Sequence, residues 1–310
     1  MNVANSFTHF LQDFKLQGCK VGNGGSDFAG QGVIRYAVFV QIPGNLIEVA
    51  ADPAVLGCQL PDSGKLHIPD SILSLAENQN GIILVTGAAG SGKSTTLTCM
   101  IDKINSERPG HIVTIEDPIE FLHKHKKSII SQREIGIDTE SYSDALRAAL
   151  RQSPNVILLG EMRDNETMSI AMTAAETGQL VLSTLHTVGA ANTVDRIIDG
   201  FPTNQQQQIR MQLSMVLKAV ISQQLLPDTN GTLYPVFEVM VVNNAIRTMI
   251  RENKTHQIET VMQTTPGMQT MDSAVFKLFS EGIISEETAV EYASSPAMMS
   301  KKIELSRGKQ

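Results

Sequence analysis

The sequence predicts an α/β fold in which a largely parallel sheet is covered by helices on both faces. Two observations carry that expectation. From residue 69 onward, apolar strand-like runs at 82–86, 111–116, 156–160 and 180–185 alternate with helix-compatible stretches at 70–79, 93–106, 141–152, 164–176 and 189–199. Such alternation places parallel strands in one sheet with the intervening helices packed against it. The second observation is the glycine-rich segment between the first of these strands and its helix, where residues 87–94 fit the pattern G-x-x-x-x-G-K-[ST]. Ligands of open parallel sheets collect at the carboxyl ends of the strands. That is where this segment and most of the other candidate polar residues lie.

Taken in order, residues 1–26 carry little pattern, although Phe7, Phe10, Leu11 and Phe14 share one face of a short amphipathic helix at 5–15. Residues 22–26, GNGGS with one asparagine among its glycines, read as a turn. Residues 33–41 are rich in Val, Ile, Tyr and Phe and suit a strand, paired with 46–50 across Pro43, Gly44 and Asn45. The turn signal at 61–64 places a domain boundary near 60–68. Beyond Pro202 the chain reads as mainly helical, at 203–225, 243–251, 254–263, 270–281 and 285–292, with one strand near 234–242.

The segment at 87–94 has a specific chemistry. Small residues let backbone N–H groups curl around phosphate oxygens, and the helix N-terminus behind them adds partial positive charge. Gly87, Gly90, Ser91 and Gly92 shape this cradle, and Thr95 follows it into the helix. Lys93 is placed to reach the β- and γ-phosphates of a nucleoside triphosphate, and the Ser94 hydroxyl to ligate Mg²⁺. The second strand ends in three carboxylates, Glu116, Asp117 and Glu120. One of them can orient or deprotonate an attacking water, or all three can form a solvated turn around Pro118. The third strand ends in Glu161, which suits a carboxylate holding Mg²⁺ directly or through water, and equally an acid at a helix N-terminus. Arg163 follows as a cation able to sense phosphate. The fourth ends in His186, placed either for a bond to the γ-phosphate or the base, or for a structural hydrogen bond. The run from His123 to Lys127 reads as a solvated basic face.

Composition fits an ordinary globular protein, with 42% hydrophobic and 18% charged residues in 310. With 25 Lys+Arg against 32 Asp+Glu, the formal charge is −7, which argues against a nucleic-acid partner. No run has the length of a membrane span, and the first residues lack the basic and apolar regions of a secretory signal. Cys19, Cys58 and Cys99 form no C-x-x-C pair and are expected to pack in a reducing cytoplasm.

Several segments together resemble the type IV pilus retraction ATPases of the secretion ATPase superfamily. GAAGSGKSTT resembles their Walker A motif, TIEDPIEF at 114–121 their Asp box, and VILLGEMRD at 156–164 their Walker B motif. TAAETGQLVLSTLHT at 173–187, with TVDRIIDGFP at 193–202, resembles their His box. AIRTMIRE at 245–252 is similar to a signature associated with retraction, and GMQTMD at 267–272 to a motif near their C-terminus. The resemblance implies a RecA-like P-loop ATPase domain with C-terminal helices at 67–310, and a truncated α+β, PAS-like N-terminal domain at 1–66. It implies a cytoplasmic homo-hexamer, peripheral at the inner-membrane base of a pilus, that hydrolyses ATP with Mg²⁺ to retract pilin. Its implied partners are a pilus platform protein and a second retraction ATPase. By position, Glu120 would be the base that activates water, Glu161 the Walker B acid and His186 the His-box histidine, with Arg163 and Arg196 as further nucleotide contacts. Arg35 matches a family arginine that reaches a neighbouring subunit's nucleotide, whereas Ala37 stands where the family has the next arginine. Two alternative functions remain: a related type II secretion or pilus assembly ATPase, and a non-hydrolysing ATP-binding subunit of an accessory ring.

Overall fold

The structure is a computed structural model that describes residues 36–42, 45–51 and 60–307. The chain divides into two compact units after Leu60. In the first, strands β1 (Tyr36–Ile42) and β2 (Asn45–Ala51) pair antiparallel, with Tyr36 opposite Ala51 and Ile42 opposite Asn45. The helix expected at 5–15, the turn at 22–26, Arg35, Cys19 and Cys58 lie outside the described residues.

The second unit opens with a short helix, α1 (Asp70–Leu73), that tightens into a 3₁₀ turn at Ser74–Glu77. The expected single helix at 70–79 is therefore broken into two pieces. Strand β3 (Gly81–Thr86) leads through the glycine-rich loop into helix α2 (Lys93–Glu107), and β4 (His111–Glu116) follows. Next come β5 (Ile129–Glu134), α3 (Tyr142–Leu150), β6 (Val156–Leu159), α4 (Asn165–Glu176), β7 (Leu180–Leu185) and α5 (Ala190–Asp199). Helix α6 (Thr203–Val216) runs without a break into strand β8 (Leu217–Pro227), which turns into β9 (Leu233–Val241). The chain closes with helices α7 (Asn244–Arg251), α8 (Ile258–Thr264), α9 (Met271–Ser280), α10 (Glu286–Glu291) and α11 (Pro296–Arg307).

Seven strands form one sheet in the order β5-β4-β6-β7-β3-β8-β9. Every neighbouring pair is parallel except β8 with β9, which is antiparallel. Successive residues of a strand point to opposite faces, so a strand buried on both sides feeds two cores. Strand β3 does this residue by residue. Ile82 and Leu84 join a core with α3 to α8, whereas Ile83 and Val85 join a core with α1 and α2. A third, smaller core lies where Leu226 and Val236 of the β8–β9 hairpin meet α9, α10 and α11. Helices thus cover both faces of the sheet, as the RecA-like expectation requires.

Three further elements differ from the sequence expectation. Residues 217–225, read as the end of a long helix, form β8 between β3 and β9. An apolar run with no glycine or proline before it suits either state locally, and pairing with β3 decides it. Strand β5 differs from the expectation, because four of the six residues of IISQRE are polar, as suits an edge strand. Helix α11 was also missed; its low amphipathicity hides the two anchors, Met299 and Ile303, that bury it. Of the basic run, Lys124, His125, Lys126 and Lys127 are exposed as expected, but His123 is largely enclosed and burial lowers its pKa to about 4.

Candidate nucleotide site

The loop after β3 has the backbone a phosphate cradle requires. Gly87, Gly90 and Gly92 all have positive φ, at 143°, 76° and 86°. The space around them differs. A Cβ on Gly87 would lie 2.3 Å from the backbone oxygen of Gln223, and one on Gly92 would lie 2.9 Å from that residue's side-chain nitrogen. A Cβ on Gly90 would meet nothing within 4 Å. The loop is therefore pressed against β8 on one side and open on the other. Gly92 caps α2 in the left-handed conformation and offers no side-chain bond to the first turn. The N–H groups of that turn remain for an anion. Ser91 is buried, and its hydroxyl has no partner among the described residues.

Lys93 is 8% exposed, and its Nζ donates to the carbonyl oxygens of Gly87 at 3.0 Å and Ala88 at 2.8 Å. Those bonds hold the ammonium group inside the loop. Burial lowers its pKa, while the charges of Glu120 and Glu161 act in the opposite direction. The Ser94 hydroxyl donates to Glu120 Oε1 at 2.9 Å, which brings the loop and the end of the second strand into direct contact.

The cleft beyond the loop is lined by Gly90, Lys93 and Ser94 on one wall and by Glu116, Asp117, Glu120, Glu161 and His186 on the others. These residues come from the ends of β3, β4, β6 and β7, which are neighbours in the sheet. Glu161 is 15% exposed, forms an ion pair with Arg163, and lies 3.6 Å from His186 Nε2. Glu116 accepts from Thr114 Oγ1 at 2.6 Å and from Gln132 Nε2 at 3.4 Å, and burial pushes its pKa up to about 7. Tyr142 also lines the cleft, its phenol pKa raised by burial and then by the charges of Asp117 and Glu161. Its hydroxyl lies 3.0 Å from where a Cβ on Gly160 would sit, so a larger residue there would have to push the phenol aside.

Not every candidate residue reaches the cleft. Gly87, Ser91 and Gly92 belong to the loop itself and Thr95 to the first turn of α2, none of them among the lining residues. Arg163 is 66% exposed and connects to the cleft only through Glu161. Arg196 sits on the exposed side of α5, apart from the cleft-lining residues.

Two functional side chains escaped sequence reasoning. Gln223 is 3% exposed, and its Oε1 accepts from Thr96 Oγ1 of α2 at 2.8 Å. No local pattern marks it, because Gln223 reaches the loop only through the pairing of β8 with β3. Glu134 is 7% exposed and accepts from the backbone N–H of Ile119 at 3.0 Å, which anchors the turn that carries Glu120. It lies on the unanticipated β5.

Residues 65–232 match the family described as Type II/IV secretion system protein. The chain is 48% identical over 264 residues to a twitching motility protein of Neisseria gonorrhoeae, covering 83% of this chain and 70% of that one. It is 50% identical over 218 residues to the type IV pilus retraction ATPase PilT of Pseudomonas aeruginosa, covering 70% of this chain and 63% of that one. A crystal structure of the pilus retraction motor PilT with bound ADP superposes with a TM-score of 0.77 at 45% identity, covering 86% of this chain and 80% of that one. The strand order, the loop and these similarities agree, and the chain belongs to the type II/IV secretion system protein family, on the branch of the pilus retraction ATPases.

Proposed function

We propose that this protein binds ATP with Mg²⁺ in the cleft, hydrolyses it, and uses the cycle to power type IV pilus retraction. The observation that carries the reading is the convergence of Lys93, Ser94, Glu120, Glu161 and His186 on one cleft beside a left-handed glycine loop. That donor set fits a magnesium-bound triphosphate: an enclosed ammonium, free N–H groups at a helix start, a hydroxyl, and carboxylates across from it. When bound, magnesium would neutralise charge on the β- and γ-phosphate oxygens.

In this reading Lys93 stabilises negative charge that builds on the transferred phosphoryl group, and the loop N–H groups fix its position. Ser94 and Glu161 would hold the metal. Glu120, held 2.9 Å from the Ser94 hydroxyl, takes the proton from the attacking water. His186 reads the γ-phosphate from the end of β7, and Arg163 tempers the charge on Glu161. Arg196, turned outward on α5, acts toward a neighbouring subunit in this reading.

The family resemblance extends the proposal to a cytoplasmic homo-hexamer at the inner-membrane base of the pilus, working with a platform protein and a second retraction ATPase. Among the described residues no helix is long and apolar enough to cross a membrane.

Phosphate release by the wild type beside Lys93→Ala and Glu120→Gln tests the chemistry. Each variant should lose on the order of 10²-fold or more in turnover. One shared background rate for all three would end the catalytic reading. Deletion of the gene tests the direction of movement. Surface pili that persist without motility support retraction, and absent pili point to assembly.

A further inference from the structure

Glu238, on the β9 strand, belongs to no motif singled out in the sequence and does not touch the cleft. It is 9% exposed and carries two helix starts at once. One carboxylate oxygen accepts from the N–H of Ala190, the first residue of α5, at 2.5 Å. The other accepts from the N–H of Met271, the first residue of α9, at 3.1 Å. Helix α5 has no side-chain cap of its own, since Gly189 precedes it. Glu238 supplies the missing acceptor, and its charge suits both helix starts.

The residue opposite Glu238 in the hairpin register is Ser222 of β8. Its hydroxyl accepts from the N–H of Gly189 at 3.1 Å. The strand pair therefore grips two successive amides, Gly189 and Ala190, immediately after the segment that carries His186. That segment is fixed by the sheet at Leu185 and by Ser222 and Glu238 at its far end. Next to Ser222, Gln223 holds Thr96 in the phosphate-loop helix. On its other side β9 is joined to the C-terminal layer. Val239 exchanges backbone bonds with Gln269 at 2.9 and 3.1 Å, and α9 packs into the third core.

We propose that Glu238 is a positioning residue that sets His186 and relays occupancy of the cleft to helices α9 to α11. The inference rests on the nucleotide reading of the cleft given above. A shift of the His186 segment on nucleotide binding moves Ala190, and one carboxylate cannot follow Ala190 without altering its bond to Met271. Coupling of this kind is reciprocal, so a ligand on the C-terminal helices also changes nucleotide affinity.

Hydrogen exchange on the full chain, with and without Mg²⁺ and a slowly hydrolysed ATP analogue, tests the relay. In the wild type, nucleotide should slow exchange at 87–96, at 186–192 and also at 269–275. In Glu238→Gln one amide oxygen replaces two carboxylate oxygens, so the response at 269–275 should vanish while that at 87–96 stays. Turnover should fall about tenfold or more, with KM within about twofold. Ser222→Ala keeps both carboxylate bonds and should retain the response at 269–275 with a smaller loss of turnover. A wild type that responds at 87–96 but not at 269–275 overturns the relay alone, whatever the variants do. Absence of any nucleotide response removes the underlying reading as well. A Glu238→Gln protein that responds and turns over like the wild type also overturns the proposal.

Discussion

The parallel strands β3, β4, β6 and β7 and the β8–β9 hairpin lie in one sheet but serve the cleft differently. Each parallel strand ends at the cleft and delivers a group that can meet a ligand: the glycine loop with Lys93, the Glu116–Glu120 turn, Glu161 and His186. The hairpin instead runs past the loop. Its side chains Ser222, Gln223 and Glu238 bind protein groups: Gly189, Thr96, and the starts of α5 and α9. The difference separates the residues proposed to react from those that place them, and, Lys93 apart, the placing residues are the more deeply buried. A buried side chain has its rotamer fixed by packing, and a fixed rotamer is what positions a loop.

The sharpest break of this comparison is at the reacting end. His186→Ala should lower turnover on the order of 10²-fold while leaving thermal stability close to wild type, because His186 is half exposed. A large drop in melting temperature with intact turnover would reverse its assignment. At the placing end, Gln223→Ala removes the bond to Thr96 and leaves a void beside the loop. Turnover should fall about tenfold and stability by about 1–3 kcal/mol. If phosphate-release assays and chemical denaturation both match wild type, the hairpin plays no part in holding the loop.

The two sides of the glycine loop give a smaller contrast. Gly87→Ala drives a Cβ into the β8 backbone and should cost about 2–4 kcal/mol. Gly90→Ala meets open space and should cost only the left-handed strain of about 1–2 kcal/mol. Urea unfolding of the two variants orders them, and equal losses would mean that β8 yields to the loop.

The smallest effect concerns Glu116, whose pKa rises to about 7 in the folded protein. The native state then keeps a proton that the unfolded chain releases near pH 4.5, so this contribution is full below that pH and lost as pH rises through 7. Glu116→Gln is neutral throughout and keeps an oxygen for the Thr114 hydroxyl. It should match wild type at pH 5 and exceed it by about 1–2 kcal/mol at pH 8. Melting curves at the two pH values check this, and a variant less stable at pH 8 would show that the carboxylate is held in its charged form.

Legibility in the sequence followed the same division. Residues 82–86, 111–116, 156–160 and 180–185 announced themselves as strands because both of their faces are buried and because apolar residues, largely β-branched or leucine, dominate each run. The groups at their ends follow directly along the chain, so finding the strand finds the residue. Strand β8 was mistaken for helix because its apolar residues suit both states, and β5 because an edge strand needs only half its side chains buried. Gln223, Glu134 and Glu238 were missed for a related reason. Each bonds to a partner far away in sequence, up to 127 residues for Gln223 and Thr96, and no local spacing encodes such a contact.

The amino-acid order alone singled out the segment proposed to wrap phosphate, since left-handed turns need glycine and a lysine must follow them closely. It also settled the α/β class, since continuous apolar runs alternating with amphipathic ones can be buried in few other ways. Which strand lies beside which, and therefore that Ser94 meets Glu120, that Glu161 meets His186 and that one carboxylate on β9 ties α5 to α9, was decided only when the sheet assembled. Those contacts depend on strand order and register, and hydrogen bonding between distant segments fixes both only in three dimensions.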